Sequence, residues 1–138
     1  MVSVERGWYN ELGEPLVTLQ LHIADDDYLP IEVLVDTGFN RGLLLFAGEA
    51  RAARLPPTRS ASAKLYLADG SPCSARSTFG YIRWMGELKE IEVLVVEHDR
   101  GERDKCLIGM ELLKHTDILF GPDDFHIHAL LPEGGQAG

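Results

Sequence analysis

The sequence predicts an all-β, closed-barrel-like domain with one or two short helices. Three observations carry this. Short apolar segments alternate with a period of two, the pattern of half-buried strands. Turn clusters rich in Gly, Asp and Pro separate them at short intervals. Good helix formers come only in brief runs. The chain has 138 residues, 45% of them hydrophobic and 25% charged. That suffices for one soluble domain with a real core. We expect a short N-terminal extension over 1–14, the domain over 15–131 and a disordered tail over 132–138.

Each element follows in order. "VTLQLHI", Val17 to Ile23, alternates strictly and reads as a half-buried strand. "ADDD" turns the chain, and Tyr28 to Val35 returns as a more apolar strand. Gly42 to Phe46 reads as a short buried strand. Ala47 to Leu55 has good helix formers and stops at Pro56-Pro57. Lys64 to Leu67 leads into Ala68-Asp69-Gly70-Ser71, where Asp-Gly is a strong hairpin signal. Cys73 to Met85 and Leu88 to Glu97 pair about Gly86. Cys106 to Ile108 is a brief apolar strand, followed by a short helix from Met110 to His115. Asp117 to Phe120 and Phe125 to Leu130 close the domain as two strands.

Charge narrows the partners. The formal net charge is −9, and the 13 basic residues are scattered. Neither nucleic acid nor an anionic membrane is therefore expected as a partner, because both need clustered Lys and Arg. No apolar run approaches the ~20 residues of a membrane span. The N-terminus lacks the apolar core of a secretory signal. Cys73 and Cys106 are accordingly expected as free thiols, and the protein as cytoplasmic.

One segment calls for an explanation. "VLVDTGFNRGLLL", Val33 to Leu45, runs as an apolar strand, breaks at Asp36-Thr37-Gly38 and resumes. A carboxylate at the end of a buried strand is costly unless it is hydrogen-bonded or paired. Asp36 is either a turn former or a working group. Downstream, "CLIGMELL" (Cys106 to Leu113) combines apolar Leu107 and Ile108 with Gly109, an acid and a Leu-rich helix. The triplet, the glycine-bearing hairpin at 68–71 and this second motif come in the order and spacing of retropepsin-like aspartic proteases. The chain resembles that family, in its bacterial single-domain branch, over roughly Leu16 to Leu130. It departs from the viral pattern at Phe39, where a small residue is usual, and at Glu111, where Asp is usual.

The resemblance implies a chemistry. Peptide hydrolysis by this route needs two carboxylates about one water, one ionised and one protonated. The chain has one Asp-Thr-Gly; Asp69-Gly70 lacks the hydroxyl residue. The resemblance therefore implies a homodimer with Asp36 from each subunit at the two-fold axis, acting on a peptide or protein substrate. Thr37 would bond across the axis, Gly38 would let its amide approach Asp36, and Ala68, Asp69, Gly70 and Ser71 would form a flap. Leu107, Ile108 and Gly109 would have structural roles, Gly109 letting the helix pack beneath the active loop. No cofactor and no metal are implied. The alternative is a non-catalytic dimer of the same fold that binds a peptide or protein, which Phe39 would favour by filling the cleft. A third reading, a metal site on His126 and His128 with His22, rests on the spacing of "HIH" alone.

Overall fold

The computed structural model describes residues 4–56, 62–66 and 70–130. The strands are β1 (Val4–Tyr9), β2 (Pro15–Ala24), β3 (Asp27–Val35), β4 (Leu43–Phe46), β5 (Ser62–Tyr66), β6 (Pro72–Trp84), β7 (Glu87–Val96), β8 (Cys106–Ile108), β9 (Thr116–Phe120) and β10 (Asp124–Ala129). Two short helices complete the chain, α1 (Ala47–Ala52) and α2 (Met110–Leu113). The expected tail at 132–138 lies outside the described residues.

The sheet order is β5-β6-β7-β4-β8-β3-β2-β1-β10-β9, with a further pairing between β6 and β2. That extra contact, Gln20 with Arg83 and Leu21 with Ile82, closes six strands into a barrel. The alternating strands supply its inward face. Val17, Leu19 and Leu21 are at most 1% exposed, and Phe125, Ile127, Ile82 and Val93 are fully buried. Burying each such side chain is worth roughly 1.5–3 kcal/mol. The central strand β4 is apolar throughout because β7 flanks it in parallel and β8 antiparallel, and all four of its residues are buried.

Turn chemistry sets the hairpins. Met85 (φ 55°) and Gly86 (φ 80°) link β6 to β7 with Trp84 opposite Glu87. Positive φ at both loop residues matches the right-handed twist of the flanking strands. The expected helix from Ala47 stops at Ala52, three residues early, because Arg54 turns the chain at φ 55° before Pro56 is reached.

β1 lies within the stretch read as an extension. It pairs with β10 from Val4–His128 to Trp8–Asp124 and with β2 at Trp8–Leu16. Gly7 makes this possible: a Cβ there would fall 2.0 Å from the Phe125 ring and 2.6 Å from the Leu16 carbonyl oxygen.

Candidate active site

β8 inserts between β3 and β4, pairing Val35 with Ile108 on one side and Leu43 with Ile108 on the other. The connection from Val35 to Leu43 must therefore arch over the end of β8, and it carries Asp36, Thr37 and Gly38 at its start. The Asp36 amide donates to the Ile108 carbonyl at 3.0 Å, continuing the ladder by one residue. Asp36 Oδ1 accepts the Gly38 amide at 2.9 Å, and the Phe39 amide donates to the Asp36 carbonyl at 3.1 Å. The carboxylate is thereby fixed in a tight turn, half-buried rather than free in solvent. A Cβ on Gly38 would sit 3.3 Å from Asp36 Oδ1, crowding the same approach.

The arch is held from below by α2. The first amides of a helix have no partner within it. Here Gly109 donates to the Gly42 carbonyl at 2.9 Å, Met110 to Phe39 at 2.8 Å and Glu111 to Arg41 at 3.3 Å. The helix start and the loop thus satisfy each other's backbone groups. This contact demands glycine at 109: a Cβ would fall 2.4 Å from both the Phe39 and the Arg41 carbonyl oxygens. Ile108 is fully buried and Leu107 half-buried.

Phe39 is 9% exposed and belongs to the core. Its ring lies under the arch against Gly109, and it forms part of the floor of the cleft instead of filling it. Thr37 is exposed, and its hydroxyl makes no hydrogen bond within the described residues.

A cleft of about 450 Å³ opens over Asp36, Gly38 and Phe39, with Leu34 and Leu107 beside them. Lys64, Leu65 and Tyr66 of β5 border it, as do Arg103, Asp104 and Lys105 of the β7–β8 loop. Among the described residues β5 pairs with β6 only and forms an edge of the sheet at the cleft, with Leu65 packed against the core. Of the expected flap residues, Gly70 is exposed with φ 84° and Ser71 is half-buried, while Ala68 and Asp69 lie outside the described residues. The bordering residues on β5 and in the 103–105 loop were not legible as site residues, since only the folded chain brings them to Asp36.

Sequence reading also missed an anchor of the arch. Arg41 Nε and Nη2 donate to Glu92 Oε1 and Oε2, both at 2.8 Å, and Ser77 Oγ donates to Glu92 Oε2 at 3.0 Å. The hydrogen bond from Arg41 holds the Glu92 carboxyl below its ordinary range, against the opposing effect of burial. Elsewhere, His126 and His128 stand 6.1 Å apart between ring centroids, both half-buried. No group of three or more His, Cys, Asp or Glu side chains converges among the described residues. No helix of the described residues is long and apolar enough to cross a membrane.

The closed six-strand barrel with an Asp-Thr-Gly arch over an inserted strand defines a retropepsin-like fold. The chain belongs to the aspartyl protease family, whose sequence model matches residues 19–112. Its fold is similar to a retropepsin-like aspartic protease from Rickettsia conorii, with a TM-score of 0.66 and 21% identity over 94% of this chain and 96% of that one. It is also similar to EIAV protease complexed with the inhibitor HBY-793, with a TM-score of 0.58 and 19% identity over 77% of this chain and 90% of that one. A comparison with curated proteins gave no match.

Proposed function

We propose that the protein is a homodimeric aspartic endopeptidase in which Asp36 of each subunit acts on one shared water. The observation that carries this is the placement of Asp36. It is half-buried, turned by the Gly38 amide and set in a cleft of about 450 Å³. One carboxylate cannot be general base and general acid at once in this chemistry, and the chain offers a single Asp-Thr-Gly. A second copy supplies the other. Two carboxylates about one water carry one proton between them: the ionised one takes the water's proton as it attacks the carbonyl carbon, and the protonated one donates to the carbonyl oxygen. The two free cysteines, one of them buried, suit a reducing compartment such as the cytoplasm.

The test is digestion of a diverse peptide library by the wild type and by Asp36→Asn, with the oligomeric state of both measured by sedimentation. Asn keeps the shape and can still accept the Gly38 amide, so the fold and dimer persist while the general base is lost. Cleavage falls by at least roughly 10²-fold. Equal cleavage by the two proteins would sink the proposal. If neither protein cleaves, while Asp36→Asn abolishes capture of a partner peptide, the chain is a binding module of the same fold.

A further inference from the structure

Three cations without an ion-pair partner among the described residues border the cleft over Asp36. Arg6, Arg41, Arg51, Arg76 and Arg100 each pair with a carboxylate. Lys64, Arg103 and Lys105 border the cleft, and none of them has an ion-pair partner among the described residues. They come from two separate elements, Lys64 from β5 and the others from the β7–β8 loop. Glu14 and Asp104 also border the cleft, each oriented by a hydrogen bond from a neutral donor that leaves its charge in place. Asp104 Oδ2 accepts the Gly101 amide at 2.8 Å, and Glu14 Oε1 accepts Asn10 Nδ2 at 2.8 Å. The Asp104 amide also donates to the Gly101 carbonyl at 3.2 Å, so the turn presenting Arg103 and Lys105 is braced at both ends.

Like charges brought to one cleft from two elements repel when nothing lies between them. An acidic side chain placed there relieves that repulsion and finds partners in a partly apolar setting, where charge pairs are stronger than in bulk water. In a chain of net charge −9, the cleft is less acidic than the surface as a whole, its three cations standing against Glu14, Asp36 and Asp104. We propose that this cleft selects peptides carrying Glu or Asp close to the scissile bond, with Lys64, Arg103 and Lys105 receiving the carboxylate. The proposal rests on the peptidase reading and adds the substrate's charge to it.

The experiment uses three matched peptides that differ only in having Glu, Gln or Lys beside an apolar scissile pair, in register series. The wild type should favour the Glu peptide over the Gln peptide by at least about fivefold in kcat/KM, as expected for one or two solvent-accessible ion pairs. The Lys peptide should be the poorest. Raising the salt should shrink the preference, because exposed pairs are screened. Lys64→Gln, Arg103→Gln and Lys105→Gln should each move the Glu-to-Gln ratio toward one, with the thermal midpoint checked for each. Equal use of the three peptides, or preference for Lys, would overturn the proposal. If no peptide is cut, the peptidase reading fails by itself, and equilibrium binding of the same peptides then decides. Tighter binding of the Glu peptide supports the charge selection, and equal binding contradicts it.

Discussion

Arg41 and Glu92, on the active-site arch and on β7, face each other through two parallel hydrogen bonds of 2.8 Å. A guanidinium and a carboxylate in this fork geometry form one of the stronger polar contacts available to a chain. Arg41 is 41% exposed at its side chain, so solvent screens part of the gain. The Glu92 carboxyl is lowered chiefly by its hydrogen bond from Arg41. A carboxyl lowered on folding stabilises above its unfolded pKa, and the contribution is lost as pH falls through the folded value. Glu92→Gln should therefore cost about 1 kcal/mol at neutral pH. The gap should begin to close as pH falls below the ordinary glutamate value near ~4.3 and vanish beneath the folded value. Urea unfolding of both proteins across that range checks this; a gap that widens on acidification would contradict it.

Gly109→Ala should damage the site through the backbone. The added methyl would meet two carbonyl oxygens at 2.4 Å, and those oxygens accept the Met110 and Glu111 amides. Neither can retreat without opening the arch. Overpacking of this kind costs typically ~1–3 kcal/mol. A thermal midpoint several degrees lower is expected, together with loss of cleavage, and an unchanged midpoint would show that the arch is not held by this contact.

Much of this architecture was legible in the sequence because it is local. Strict alternation marked β2, the Asp-Gly and Gly86 turns marked the hairpins, and the two motifs marked the arch and its helix. β1 escaped notice because Val4–Tyr9 has a charged, glycine-broken pattern. It becomes a strand only where Gly7 meets the Phe125 ring, a contact with the far end of the chain. Barrel closure through Gln20 and Arg83, the Arg41–Glu92 pair and the charged border of the cleft likewise join distant residues that no local pattern connects. Phe39 looked obstructive as a bulky residue in an active loop, and only the folded chain shows it turned into the core.

Cys106 should be chemically silent in the native protein. It is 2% exposed, and burial above all pushes its thiol up to about 12. Thiolate is the reactive form, so little exists near neutral pH. With a thiol reagent at about pH 8, Cys106 should react only as fast as the protein unfolds. Mass mapping of labelled peptides with and without denaturant checks this, and rapid native labelling of Cys106 would contradict its placement.

Thr37→Ala should weaken the dimer while leaving the protomer intact. The Thr37 side chain is exposed in the single chain, its hydroxyl is without a partner among the described residues, and it sits next to Asp36. If the hydroxyls meet across the axis, their removal loses roughly 0.5–1.5 kcal/mol per hydrogen bond. The dissociation constant from sedimentation should rise several-fold at an unchanged unfolding midpoint of the monomer. A dimer of undiminished affinity would place Thr37 away from the axis.

The most direct test of the two-copy site is a mixing titration. Wild-type protein at fixed concentration is incubated with increasing Asp36→Asn, long enough for subunits to exchange, and the initial rate of peptide cleavage is measured. If each active site needs one Asp36 from each subunit, mixed dimers are inactive, and the rate falls steeply toward zero as the variant comes into excess. A rate that stays constant, set by the wild-type concentration alone, would contradict the shared site.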